Sequence, residues 1–369
     1  MNMTNYTPGN HPDLPPPAGT VGPMHWLRSN LFSSPANIIV TLIVLWVLYK
    51  LLPPMVDWFF LDSVLTGNNR KECAAQGDGA CWAFIAERFK LFVYGYYPEH
   101  LRWRIDLTVV LLAVAIAAVL WDRFPARKYG FYYALAFPFI AAWLLVGGAG
   151  LEPVPTSDFG GVMLTLVVGV TGIAFSLPLG ILLALGRQSE LPVIRIFCVT
   201  FIEFIRGVPL ITLLFIASTM LSYFLPPGTT FDLLMRVLIM VVLFSAAYLA
   251  EVIRGGLQAL PQGQKEAAEA LGLNYWQSVR FIILPQALKI SIPGIVNTFI
   301  GLYKDTTLVS IIQLMDPIGI GKQSLASSEW FGLSTEVYLF VAIFFFISCF
   351  GMSRYSLYLE NKLNTEHKH

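Results

Sequence analysis

The stretch "EAAEALGLNYWQSVRFIILPQAL", residues 266–288, is charged and amphipathic and is punctuated by Gly272 and Pro285. Apolar runs of membrane grade flank it. Residues 266–271 are mostly strong helix formers, and acidic residues suit a first helical turn. Gly272 can take the positive φ that stops a helix sharply. "NYWQSVRFIILP" then predicts a second short amphipathic helix, closed by Pro285. Pattern alone leaves two readings open. The segment is either an interfacial amphipathic loop or a projecting helix whose alanines allow close insertion into a protein groove.

Composition places the segment in a membrane protein. The chain is 56% hydrophobic and 13% charged, against about 25% charged in ordinary soluble domains. A water-exposed surface cannot be built from so little charge. A formal net charge of +1 and the lack of a long basic run argue against nucleic-acid binding. His11, His25, His100, His367 and His369 lie outside the strong apolar runs and the four cysteines show no CxxC spacing, so no metal site is expected. Residues 1–35 are polar and Pro-rich and read as a disordered tail. They lack the basic n-region of a cleavable signal peptide, so the first apolar run is expected to stay as an anchor.

A spanning helix needs about 20 mainly apolar residues. Such runs lie near 36–52, 104–121, 131–149, 159–186, 198–225, 231–252, 286–312 and 335–356. They predict an all-α integral membrane protein, a polytopic bundle of about eight transmembrane helices. The longer runs imply tilt, or breaks at Pro178, Pro209 and Pro293. Lys and Arg concentrate in the 122–130, 187–197 and 253–285 connections and in the C-terminal tail, and are missing from 150–158 and 226–230. The positive-inside rule then puts both termini and the 266–285 segment in the cytoplasm. The 53–103 loop falls outside despite its own Arg70, Lys71, Arg88, Lys90 and Arg102, as long loops obey the rule weakly. There Cys73 and Cys81 would meet an oxidising compartment, either as a disulfide or as two free thiols. The "CWAFIAERFKLFVYGYYP" stretch of that loop reads as an interfacial helix with belt aromatics.

Spacing separates the two readings of the opening segment. EAA at 266–268, Gly272, Ile282, Leu284 and Pro285 resemble the EAA signature of permease subunits of binding-protein-dependent ABC importers. The resemblance implies that Glu266, Ala267, Ala268, Gly272, Ile282, Leu284 and Pro285 form a coupling helix that docks in a cleft of a separate ATPase. "FIEFIRGVPL" (201–210), "YLAEVIRGGLQALPQGQKEAA" (248–268) and "LYKDTTLVS" (302–310) look like the polar amino-acid uptake branch of that family.

What the resemblance implies is concrete. A five-helix type I ABC importer permease core would occupy 150–360, with its EAA loop at 261–285. Three accessory transmembrane helices would occupy 36–149, before a C-terminal tail at 361–369. This longer form is similar to the general L-amino-acid permeases of Gram-negative bacteria, in which two non-identical long permeases pair. The implied partners are that second permease subunit, two ATPase subunits carrying ATP and Mg, and a periplasmic amino-acid-binding protein. The implied substrate is an L-amino acid and the implied location the bacterial inner membrane. The chain itself would bind no cofactor. Its "GIGKQS" (319–324) fails as a P-loop, because Asp316 stands where the first glycine belongs and Gln323 follows Lys322.

Two charge patterns inside the spans mark candidate sites. In Glu203-x-x-Arg206 and Glu251-x-x-Arg254 the residues three apart share a helix face, so each Glu can neutralise its own Arg. Intramembrane charge points to function, but near a span's end snorkelling is cheap. A clamp or inner gate and a part of the substrate path therefore both stay open. Lys304, Asp305, Thr306 and Thr307, with Asn297 and Thr298 earlier on the same predicted helix, either face a zwitterionic substrate or form a helix end solvated by headgroups. Ser and Thr within spans, such as Thr165, Ser176 and Ser245, more often serve helix packing. No HExxH or GxSxG motif points to an enzyme. The rival readings are an ABC permease for another small solute, such as an opine or peptide, and an ion-gradient-driven carrier. The latter leaves residues 266–285 without a purpose.

Overall fold

The computed structural model describes residues 22–121, 124, 127–220, 223, 226 and 231–363. The expectations for residues 1–21, Arg123, the 227–230 connection and residues 364–369 lie outside them. Among the described residues every regular element is a helix. Seven helices are long and apolar enough to cross a membrane, and a bent pair makes an eighth candidate. The chain divides into two compact units, one of residues 1–66 with 73–82 and one of residues 67–72 with 83–369.

In the first unit, α1 (Pro23–Asn30) begins on a proline, which suits a first turn. Part of the expected disordered tail is thus helical. Ser34 caps α2 (Pro35–Val56) by accepting the Asn37 N–H at 3.2 Å. No residue of α2 is buried. Beyond it the chain turns back: the Val64 N–H donates to the Ala80 carbonyl at 2.8 Å, and the Trp82 indole N–H to the Phe59 carbonyl at 3.0 Å. Cys73 and Cys81 are joined as a disulfide, which resolves the alternative left by the sequence.

The boundary between the units falls within α3 (Arg70–Gln76) and after the first residue of α4 (Trp82–Tyr94), and the second unit contains the rest. The belt reading fails for two of the α4 aromatics, while Phe89 stays 50% exposed. Phe84 and Phe92 are fully buried. Their rings lie 5.4 Å from Trp330 and 5.1 Å from Phe340 respectively. Burying an aromatic ring against other rings gains more than leaving it at an interface, and the loop folds down to allow it.

Then follow α5 (Trp103–Leu120), α6 (Arg127–Val146), α7 (Gly161–Arg187), α8 (Pro192–Gly207) and α9 (Leu210–Phe215). The predicted 198–225 span is not straight. α8 and the Leu210–Met220 helix meet at 102°. Pro209 is the cause: it disfavours helical backbone at the residue before it, and Val208 is extended at φ −113°, ψ 132°. Pro178 and Pro293, by contrast, sit inside helices that run on through them.

The remaining elements are α10 (Leu233–Gln258), α11 (Gly263–Ala270), α12 (Tyr275–Ser278), α13 (Leu284–Asp305), α14 (Pro317–Leu325) and α15 (Ser334–Leu363). α10 is the hub, packing on α7, α8 and α13, while α13 packs on α15. The largest core cluster joins Tyr97, Leu101, Ile105 and Leu145 to Leu164, Val168, Val237 and Val241. Ile105 of α5 and Leu145 of α6 therefore share one core cluster with α7 and α10.

In lipid no hydrophobic effect drives helices together, so close van der Waals packing must. Gly256 shows how. A Cβ there would sit 2.5 Å from the Ala287 carbonyl oxygen, and one on Gly294 2.6 Å from Val252. α10 and α13 thus touch backbone to backbone. Gly256→Leu is expected to cost about 3 kcal/mol or more through overpacking and to lower the thermal unfolding midpoint of the purified protein. Gly255→Ala, which meets nothing within 4 Å, should leave it unchanged. Equal midpoints for the two variants would contradict this packing.

Candidate functional site

The elbow between α10 and α13 is built by local rules. Leu273 N–H bonds the Ala268 carbonyl at 3.2 Å and Gly272 N–H the Glu269 carbonyl at 2.9 Å, with Gly272 at φ +75°. This is a Schellman stop, which needs a left-handed residue at that position. Immediately after it, Asn274 and Gln277 form a reciprocal capping box: each side chain accepts the other's backbone N–H, at 2.9 and 3.0 Å. Stop and start are two residues apart, so the bend is stiff.

Pro285 does not close the second helix. A π turn over Val279–Ile283 leads directly into α13, with Pro285 in its first turn. A proline lacks the N–H that a helix interior requires, and the wide turn before it removes that requirement. Residues 275–312 become one continuous helical path. Gln286 holds the two limbs together, donating to the Ile282 carbonyl at 2.8 Å and to the Gln264 side chain at 3.3 Å.

Exposure divides the motif residues. Ala268 is fully buried, while Glu266 and Ala267 are exposed. Ile282 and Leu284 are half-buried, and Gly272 and Pro285 exposed. Around them Leu271, Trp276 and Phe281 are 77%, 68% and 65% exposed. Large apolar side chains gathered on a polar, projecting element mark an interaction surface.

About two helical turns before the end of α10, at Glu251, lies an ion cluster that ties three helices. Arg187, at the end of α7, is 2.8 Å from carboxylate oxygens of both Glu203 on α8 and Glu251 on α10. Glu251 also holds Arg206 at 3.3 Å and Arg254 at 2.9 Å. Arg254 reaches on to Gln258 at 2.7 Å, and the Arg206 guanidinium lies 5.6 Å from the Tyr248 ring centre. Only one of the two expected self-pairs therefore forms. Glu251 takes Arg254, but Glu203 turns to Arg187 and Arg206 crosses to Glu251. Arg187 stood in the sequence only as a loop cation. Its place at the end of a long apolar run was the available signal.

The residues of the other candidate group do not join this cluster. Asn297 and Lys304 are exposed on the same face of α13. Thr298 donates its hydroxyl to the Gly294 carbonyl at 2.9 Å, and buried Thr306 donates to the Tyr303 carbonyl at 2.7 Å. Those two hydroxyls serve their own helix. Asp305 ends α13, half-buried.

Asp316 escaped the sequence reading as a polar residue of interest. It is fully buried and caps α14, its Oδ1 accepting the Gly319 N–H at 2.8 Å. Its Oδ2 has no partner among the described residues. Burial pushes the carboxyl up to about 6, against the opposing pull of the Gly319 and Ile318 N–H groups and Lys322. Because its folded value lies above the ordinary 3.9 or so, this group favours the folded state below about pH 4. That contribution, about 3 kcal/mol at most, fades as pH rises through about 6. Asp316→Asn keeps the cap without the charge. It should narrow the drop in unfolding midpoint between pH 4.5 and 7.5, and an unchanged drop would contradict the assignment.

Within the ion cluster the two acids differ. The Glu251 side chain is 15% exposed and faces three guanidiniums, whereas that of Glu203 is 55% exposed. Glu251→Gln leaves partly buried cations uncompensated and is expected to cost about 3 kcal/mol. Glu203→Gln should cost less than about 1 kcal/mol. Unfolding midpoints of the two variants in detergent give the order directly.

Comparison with known proteins finds a family and relatives along the chain. Residues 176–365 match the family described as "Binding-protein-dependent transport system inner membrane component". The chain is 50% identical over 358 residues to the inner membrane amino-acid ABC transporter permease protein YhdY of Escherichia coli (strain K12), covering 96% of this chain and 97% of the relative. It is 45% identical to the glutamate/glutamine/aspartate/asparagine transport system permease protein BztC of Rhodobacter capsulatus, covering 96% of each. A solved amino acid ABC transporter with histidines aligns with 54% of this chain and 91% of its own at 28% identity, with a TM-score of 0.47.

Proposed function

Since the chain belongs to the inner membrane components of binding-protein-dependent transport systems, as a long amino-acid ABC transporter permease, we propose that it forms one half of the path by which an ATP-driven importer moves L-amino acids into the cell. The observation that carries this reading is the stiff, exposed elbow, which runs without interruption into the spanning helix α13.

A binding protein outside delivers the amino acid to the outer mouth. ATP and Mg sit on two separate ATPase subunits, whose closure pushes the elbow through the surface of Glu266, Ala267, Leu271 and Trp276. Because α10 and α13 touch backbone to backbone at Gly256, the push moves them as one body. It arrives at Glu251, whose ion pairs to α7 and α8 act as the inner gate. The membrane-facing cost of breaking those pairs is lowered when the released guanidiniums meet water. Asn297 and Lys304 on the uncovered face of α13 would line the path and meet the carboxylate of the substrate.

One chain has one elbow and a pair of ATPases has two docking clefts, so a second permease completes the assembly. The end-to-end similarity to long-form relatives supports a non-identical one. Both termini and the elbow then lie in the cytoplasm, and the 53–103 region outside, where a Cys73–Cys81 disulfide is stable.

Reconstituted vesicles test the reading. Uptake of radiolabelled L-amino acids should require ATP and the ATPase chain. Uptake from an ion gradient alone overturns the mechanism, and competition by an opine or peptide but not by amino acids overturns the substrate. Replacing Glu266 by Lys should abolish ATPase docking without unfolding the permease. Gly272→Val, which forces a β-branched residue into left-handed backbone at about 1–2 kcal/mol, should uncouple ATP hydrolysis from transport. Normal docking and uptake in both variants would contradict the coupling role.

A further inference from the structure

A groove of about 800 Å³ lies between the helix pair α5–α6 and the core helices α7 and α10, with Val109, Phe139 and Ile239 exposed along it. An apolar groove of this size calls for apolar cover. Its walls are apolar side chains, among them Val109, Leu112, Ala142, Val170, Leu238 and Val242. The polar atoms on its lining are few and mostly engaged. Thr108 donates its hydroxyl to the Arg104 carbonyl at 2.7 Å. Thr156 donates to Asp232, whose other oxygen caps α10 at the Met235 N–H. Thr171 adds a single further hydroxyl. Water in a cavity needs two to four polar partners, and these walls do not supply them. A zwitterionic amino acid would lose its hydration here for nothing in return.

Position and length identify what fits. Asp232, Thr156 and Pro155 lie at one end of the lining, where α10 begins, and Val242 and Leu243 lie at the other. From Asp232 to Leu243 a helix rises about 16 Å. Half of a bilayer's hydrocarbon core is about 15 Å. The groove's length therefore matches the depth of one leaflet. At the Val242–Leu243 end the Phe139 ring lies 5.8 Å from Phe175, joining α6 to α7. α5 and α6 are themselves tied, the Tyr133 hydroxyl donating to the Leu111 carbonyl at 2.9 Å. What separates this pair from the core over a leaflet's depth is a space with the shape and chemistry of hydrocarbon.

We propose that the cavity between α5–α6 and α7–α10 is a phospholipid site, holding an acyl chain from the leaflet at the Thr156–Asp232 end as the packing layer between the accessory pair and the core. The inference is independent of what the protein transports.

The full protein, purified with its native partners and washed with detergent, should retain a bound phospholipid per copy by native mass spectrometry. Ala142→Trp, which fills the cavity, should lose it. Ile347→Trp, on an exposed face of α15, should retain it. A second measurement needs no substitution. The protein reconstituted in vesicles of phosphatidylethanolamine and phosphatidylglycerol with dibrominated acyl chains should show added density between α6 and α7 relative to unbrominated vesicles. No retained lipid in the wild type, equal retention in Ala142→Trp, or no added density between α6 and α7 would each overturn the proposal.

Discussion

A single carboxylate ties three helices together. Glu251 sits among Arg187, Arg206 and Arg254, contributed by α7, α8 and α10. A charge this far from water is tolerated because several donors surround it, and removing it would strand the cations instead.

The elbow and the cluster are linked by stiffness rather than by contact. Gln258 ends α10 while accepting from Arg254, and the chain enters α11 a few residues later. Beyond the Schellman stop and capping box, the π turn and Pro285 carry the path into α13 without interruption. A π turn adjoining a proline is a frequent mark of functional sites. Here it lets an exposed surface helix and a spanning helix share one rod. Displacement at Trp276 therefore reaches the membrane without first melting a hinge.

Elsewhere the fold is held by fit. Backbone approach at Gly256 and Gly294 binds α10 to α13. Ile105 and Leu145 bring α5 and α6 into the core cluster, and alongside them the two helices stand off from α7 and α10. With no hydrophobic gain from pairing helices in lipid, such looseness is stable only when something apolar fills the gap.

Much of this was legible in residue order. Runs of apolar residues near a span's length, the alternating Lys and Arg, the helix stop at Gly272 and the spacing of the 266–285 segment are all local properties, set by hydrophobicity, backbone sterics and charge. They determine a polytopic helical membrane protein and its family. Tertiary structure decided the rest. Glu203 chose Arg187 over Arg206 three residues away, because which guanidinium lies nearest depends on how α7, α8 and α10 cross. Phe84 and Phe92 left an expected interface for a core formed with Trp330 and Phe340, more than two hundred residues on. Pro285 failed to end a helix because the π turn before it removed the missing bond. In each case the winning partner was distant in the chain, or the local rule was relaxed by a neighbour, and no window of sequence contains that information.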